Sequence, residues 1–230
     1  MNPEILPLLK TSWKQRDGYA RFTPDNQRLG CWSVALAQIL FYHGLVPAGS
    51  TSYQGTHYDV SADFDHPPVK IDAITAKIDS DTPEKSAIET ARFLYYVSLI
   101  TGKDFGTGGY IGNTDVRRAR LEKHFPVKTS RIRYPESSKD QIIAFITGEL
   151  AEKRPLLIYI TGSTVGEEGK SHALVIDGLR NSESGVEVHL NFGWEGVSDG
   201  WFTLFQPIQT KYGLYDKPDL WIMKIITLKK

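Results

Sequence analysis

The stretch Gly30-Cys31-Trp32-Ser33-Val34-Ala35-Leu36-Ala37-Gln38-Ile39-Leu40-Phe41-Tyr42-His43 holds the chain's only cysteine, where a polar loop gives way to an apolar helical run. Ahead of it, Thr23-Pro24-Asp25-Asn26-Gln27-Arg28-Leu29-Gly30 is dense in turn formers. Behind it, Val34, Ala35, Ile39 and Phe41 recur at spacings that let a helix bury itself. Cys31 therefore opens a helix. N–H groups at such an end carry partial positive charge, which favours a thiolate and lowers its pKa below the ordinary value of about 8.5. A lone cysteine is also commonly a small buried hydrophobe, so a nucleophile needs a partner elsewhere in the chain.

Composition narrows the function classes. With 230 residues, 40% hydrophobic and 11% aromatic, the chain can bury the core of one large domain or of two lobes. Lys+Arg and Asp+Glu both total 27, without a long run of either sign, which argues against nucleic acid and against an anionic membrane surface as partners. One cysteine permits no internal disulfide. The 6 histidines are scattered without CxxC or HExxH spacing, so no metal and no cofactor is expected. The start Met1-Asn2-Pro3-Glu4-Ile5-Leu6-Pro7-Leu8-Leu9-Lys10 lacks the basic beginning and sustained apolar core of a signal peptide, and no window is long enough to span a bilayer. Either the chain is made without export or a leader has been removed.

The order of elements predicts an α+β fold. Residues 1–30 read as a mostly irregular arm. A loop with a short hairpin near Tyr58 follows the Cys31 helix, and a short helix is expected over Asp72 to Ile78. Thr82-Pro83-Glu84 opens a helix running through Leu99, Gly102 to Gly112 reads as a flexible glycine-rich wall of a cleft, and Asn113 caps a basic helix through His124. A further helix covers about Lys139 to Glu152. From Pro155 the period turns extended, with strands at Leu156–Thr161, His172–Asp177, Val186–Asn191, Gly200–Leu204 and Leu220–Ile226. Short turns between several of them favour antiparallel meanders. Helices before a sheet is α+β, not repeated βαβ.

His172 lies about 140 residues after Cys31, at the start of an apolar strand, directly after the loop Gly162 to Ser171. About twenty residues further on, Asn191 ends another strand. Pairing of the two strands brings Asn191 near His172, where its amide oxygen accepts from one ring N–H and sets the tautomer. Cys, His and Asn in this order supply a polarizable nucleophile, an imidazole that takes and returns a proton, and a neutral orienting group. The gap, and Trp32 directly after the cysteine, suit a papain-like arrangement.

Three segments now resemble the signature blocks of the streptopain (C10) family of cysteine peptidases. They are Gly30 to His43, Ser171-His172-Ala173-Leu174-Val175-Ile176-Asp177-Gly178, and Val188 to Phe202, which contains Asn191-Phe192-Gly193-Trp194-Glu195-Gly196. Weaker similarity extends over Trp13-Lys14-Gln15, Glu89 to Gly112 and Asp115 to Phe125. The resemblance implies a papain-like two-lobed fold in one peptidase domain over residues 1–230. Its mainly helical lobe is about 1–130 and its sheet lobe about 131–230. It implies hydrolysis of peptide bonds in protein or peptide substrates, with Cys31 as nucleophile, His172 as base and acid, and Asn191 as orienter. Gly30, Trp32, Ser171, Phe192 and Trp194 become supporting residues, Trp194 as a cover over the His–Asn pair. Gln15 matches the upstream Trp-x-Gln and is the candidate second oxyanion donor, with Gln27 as the alternative nearer in sequence.

Departures from the pattern bear on rate and specificity. Phe192 and Glu195 stand where the family carries Trp and Gly, and Phe205 to Gly213 replaces a glycine-dense loop. Members of the family are mostly secreted and carry an inhibitory prosegment, so a propeptide or protein inhibitor outside this chain belongs to the expectation. Two other readings use the same residues: a catalytically weakened module that binds peptide or protein, and a relative that performs acyl transfer or deamidation. A phosphate loop at Gly162 to Ser171 is rejected, because Thr164 stands where glycine is required and two glutamates repel phosphate. Gly106-Thr107-Gly108-Gly109-Tyr110-Ile111-Gly112 follows a helix, the wrong context for a dinucleotide site. Asp59, Asp63 and Asp65 miss calcium-loop spacing.

Overall fold

The computed structural model describes residues 4–162, 164–165, 171–217 and 219–228. It divides into two compact units, one made of Thr11–Lys128 with Thr227–Lys230, the other of Met1–Lys10 with Thr129–Ile226.

The first unit is built on α1 (Cys31–Tyr42), in which every residue from Trp32 to Leu40 is buried. A helix this apolar on all sides has to be a central one. Its few polar groups are matched inside: the Thr11 hydroxyl donates to Gln38 Oε1 at 2.7 Å, and Ser33 Oγ and Thr101 Oγ1 lie 3.0 Å apart. Around it run the hairpin β1 (Ser50–Gln54) and β2 (Asp59–Asp63), then α2 (Glu84–Thr101) and α3 (Thr114–His124). Trp13 is fully buried against Phe41 and Phe93, with centroids at 5.4 and 6.3 Å. Helix α2 stops at Gly102, whose φ of +74° no β-carbon tolerates well. Its N–H reaches Leu99 O and that of Lys103 reaches Ser98 O, the paired bonds of a left-handed helix end. Asn113 caps α3 by accepting from Val116 N–H, as expected.

The second unit holds β3 (Val127–Tyr134), α4 (Lys139–Ala151), β4 (Leu156–Thr161), β5 (Thr164–Val165), β6 (Ser171–Ser182), β7 (Gly185–Asn191), β8 (Gly200–Thr203), β9 (Ile208–Thr210), β10 (Gly213–Tyr215) and β11 (Leu220–Thr227). Six of these form one sheet in the order β3-β11-β4-β6-β7-β8, and a smaller sheet runs β5-β10-β9. Strands β4, β6, β7 and β8 make the expected antiparallel meander. Helix α4, opened by a Ser138–Gln141 capping box, lays Ile142, Ile146 and Leu150 against Leu156, Ile158 and Ile160 of β4 and Leu174 and Ile176 of β6. Ile5 exchanges two backbone hydrogen bonds with Leu179, so the first described residues run beside β6.

Several local expectations change. Residues 72–78 are not helical beyond a turn at Ile71–Ala73, because their backbone serves tertiary partners: Thr75 N–H donates to Thr90 Oγ1, Thr75 O accepts from Trp13 Nε1, and Ala76 O from Ser12 N–H. The 102–112 loop is pinned rather than slack, with a bridge between Lys103 and Tyr110. Strand β3, absent from the sequence reading, alternates buried Val127 and Thr129 with exposed Lys128, a short and charge-rich pattern. The Phe205 to Gly213 replacement carries β9 and the start of β10. The rejected phosphate-loop stretch falls largely outside the described residues. Among the described residues no helix is long and apolar enough to cross a membrane.

Candidate functional site

In the first unit, Cys31 is the first residue of α1 and is half-buried. Gly30 before it has φ +89°, and a β-carbon there would come within 2.3 Å of Tyr110 Oη and 2.9 Å of Lys103 Cδ. Glycine is the residue that fits both the angle and the space. The Tyr110 hydroxyl accepts from Trp32 N–H at 3.1 Å, so it takes up one of the donors that a helix start leaves unmatched. Trp32 is buried, and the Arg117 guanidinium sits 4.7 Å from its ring centroid. Gln15 is buried, and its carbonyl accepts from Leu29 N–H at 3.0 Å, which ties it two residues upstream of Cys31. The alternative, Gln27, is half-buried, and its main-chain carbonyl accepts from the Thr23 hydroxyl at 2.6 Å.

In the second unit, His172 stands near the beginning of β6 and is 1% exposed. The strand's two-residue period puts it on the face of Leu174 and Ile176, the face that α4 covers. Asn191 pairs with Val175, three residues from His172, and directly opposed residues share a face. The register therefore assigns Asn191 to the other side of the sheet from His172. His172 Nε2 lies 2.8 Å from the Phe192 carbonyl oxygen, and Asn191 Oδ1 accepts from Gly193 N–H at 3.0 Å. That carbonyl and that N–H belong to one peptide unit, so Asn191 acts on the ring's acceptor.

Aromatic cover completes this half. The Trp194 ring centroid is 4.4 Å from that of His172, and the Phe192 ring, nearly parallel to the imidazole at 11°, stands at 6.0 Å. Phe192 and Trp194 stack on each other at 4.9 Å. Ser171 instead receives a hydrogen bond from Tyr159. Asp199 accepts from Phe192 N–H at 2.8 Å, and its carboxyl is pushed up to about 6 by burial, with Asp177 adding to the rise and the Phe192 N–H and His189 opposing it. His189 pairs with the buried Asp177 at 2.7 Å. The sequence reading missed Lys103, Tyr110 and Asp199. The signals were a lysine in a glycine-rich loop and an acidic residue shortly after the Asn block.

The model described as the Peptidase C10 family matches residues 13–202. The chain belongs to the peptidase C10 family. The matched span includes Gln15, Cys31, His172 and Asn191. Streptopain from Streptococcus pyogenes is 31% identical to this C10 chain over 204 residues, which is 83% of this chain and 49% of that protein. The chain thus spans about half the length of the curated relatives it matches. Among solved structures, active wild-type interpain A cysteine protease of Prevotella intermedia superposes with a TM-score of 0.79 at 21% identity, covering 96% of this chain and 98% of that one. A P. intermedia prointerpain A fragment with a cysteine-to-alanine mutation gives 0.76 at 19%, covering 100% and 76%. These likenesses carry the fold: α+β and papain-like, as the sequence led one to expect.

Proposed function

We propose that this C10 chain is a cysteine endopeptidase, a single peptidase domain in which Cys31 is the nucleophile and His172 its base and acid. The observation that carries the reading is the His172 hydrogen bond to a main-chain carbonyl. A carbonyl only accepts, so Nε2 bears the proton and the basic lone pair of the neutral ring is on Nδ1. In the reaction Nδ1 takes the Cys31 proton and the sulfur attacks the peptide carbonyl carbon. The displaced electron pair goes to the carbonyl oxygen, where the Cys31 N–H and the Gln15 amide stabilise it, a contribution of about 3–4 kcal/mol per effective donor. Collapse breaks the C–N bond, the imidazolium protonates the leaving amine, and water, deprotonated by the same ring, hydrolyses the thioester. Gln15 is preferred to Gln27 because it is buried and its main chain is tied to Leu29, two residues before Cys31. Protein or peptide substrates are the partners of this reading, with a propeptide or protein inhibitor as its restraint.

Casein hydrolysis and product mass spectrometry test it. Wild type releases peptides with free carboxyl ends, and Cys31→Ala and His172→Ala each lose the activity. Full activity in Cys31→Ala overturns the reading. So does tight peptide binding without turnover by the folded wild type.

A further inference from the structure

Lys103 is a lysine buried to 2% exposure. Its ammonium donates to three carbonyls of its own loop, Asp104 O at 2.9 Å, Thr107 O at 2.6 Å and Gly109 O at 3.1 Å, and lies 5.4 Å from the Tyr110 ring centroid. Full burial of a charge without a close counter-ion is unusual. Among the described residues, the ammonium has no carboxylate in ion-pair contact. Asp104, the adjacent acid, spends both oxygens on Thr56 N–H and Oγ–H, at 2.8 and 2.7 Å. The lysine stem, meanwhile, runs against the backbone just before the thiol, with Cδ 2.9 Å from where a Gly30 β-carbon would stand. The 102–112 loop therefore brings a fixed cation, wrapped in carbonyls, beside the start of α1.

We propose that Lys103 is an electrostatic positioning residue for Cys31, which stabilises the thiolate through space and, by bracing Tyr110 against the Trp32 N–H, fixes the start of α1. This rests on Cys31 being the nucleophile, as proposed above. Burial, then Arg28, pull the Lys103 pKa down to about 8, while Asp104 and Cys31 act in the other direction. The charges facing the ammonium are thus Arg28, Asp104 and Cys31, and the Tyr110 phenol is held protonated by burial and by Cys31. Lys103 stays cationic through neutral pH, and a thiolate at Cys31 is the negative charge that its field favours.

Because the chain has 1 cysteine, iodoacetamide alkylation reports on that thiol alone. In Lys103→Met the midpoint of the alkylation pH profile is expected to rise by about one unit, with alkylation about tenfold slower below both midpoints. Lys103→Arg, which keeps the charge, should move the profile back toward wild type. An unmoved profile in folded Lys103→Met overturns the proposal. A second measurement does not depend on that variant folding: coupling is reciprocal, so Lys103 titrated by NMR through its Cε resonance should show a lower midpoint in Cys31→Ala than in wild type. An unchanged Lys103 midpoint overturns the proposal equally. If casein hydrolysis is lost in Cys31→Ala while the Lys103→Met profile is unmoved, the Lys103 assignment alone falls. If Cys31→Ala still hydrolyses casein, the nucleophile reading falls, and the Lys103 assignment with it.

Discussion

The Nε2 of His172 is 2.8 Å from the carbonyl oxygen of Phe192, while Asn191 Oδ1 holds the N–H of the same peptide unit from the opposite side. Hydrogen bonds in such a chain polarise one another in one sense: the ring donates to the carbonyl, and the amide donates to Asn191. Asp199 fixes the preceding amide, Phe192 N–H. The imidazole is thus oriented by main chain that side chains brace. Trp194 and Phe192 dry the surroundings, and a low dielectric strengthens each of these bonds.

Asn191→Ala should therefore weaken catalysis without abolishing it. The Phe192 carbonyl remains as acceptor, while its polarisation and the Asn191–Gly193 turn bond are lost. A fall of about tenfold in kcat, equivalent to about 1.4 kcal/mol, is expected with little change in KM. His172→Ala should cost about a thousandfold or more. Steady-state kinetics on a fluorogenic peptide measure both. A thousandfold loss in Asn191→Ala would instead make its side chain the principal orienting group.

Gly30→Ala should damage both stability and thiol chemistry. The new methyl must take φ +89° and would sit 2.3 Å from Tyr110 Oη and 2.9 Å from Lys103 Cδ. Backbone strain at such an angle costs about 1–2 kcal/mol, and displacement of Tyr110 from Trp32 N–H adds to it. Urea denaturation should show a loss of about 2 kcal/mol or more, with slower alkylation of Cys31. Gly108→Ala is the control, since its β-carbon meets nothing within 4 Å.

Local pattern was enough to read α4, whose burial follows the helical period, and α1, β4 and β6, whose unbroken apolar runs are buried almost throughout, while Asn113 and Ser138 cap α3 and α4. Residues 72–78 misled because their apolar spacing is helical while their backbone groups are taken by Ser12, Trp13 and Thr90, none of them local. The same limit applies to the candidate site. Cys31 and His172 announce themselves by residue type and order. The Phe192 carbonyl cannot, since every residue has one and only the β6–β7 register selects it. Lys103 was hidden by the rule that lysines belong in water.

Glu149 should prove a stability residue. It is buried on α4, with Arg154 on one oxygen at 2.6 Å and Lys224 of β11 on the other at 2.8 Å. Burial raises its pKa, but the bonds from Arg154 and Lys224 outweigh this and leave it below the usual glutamate value. A lowered folded pKa means that the stabilisation is present above the unfolded value of 4.5 and is lost as pH falls through the folded one. Glu149→Gln should cost about 1–3 kcal/mol at pH 7, since both cations keep some access to water. Urea midpoints at pH 7 and pH 3.5 check this, and the difference between variant and wild type should shrink at the lower pH.

Asp199 gives the opposite pH signature. Its carboxyl is raised from 3.8 to about 6, chiefly by burial, with Asp177 adding and the Phe192 N–H and His189 subtracting. A raised folded pKa means that the protonated form is the one folding favours. The contribution to stability is complete below about 3.8 and is lost as pH rises through about 6. Asp199→Asn keeps an oxygen to accept from Phe192 N–H but cannot ionise, so it escapes that loss. Measured by urea denaturation, the stability of Asp199→Asn relative to wild type should climb between pH 4.5 and pH 7.5, most steeply at about pH 5, midway between the unfolded and folded values, and level off above about 6. A difference that stays flat across this range would show that the wild-type carboxylate is as well solvated in the fold as in the unfolded chain, and that Phe192 is held without any electrostatic penalty.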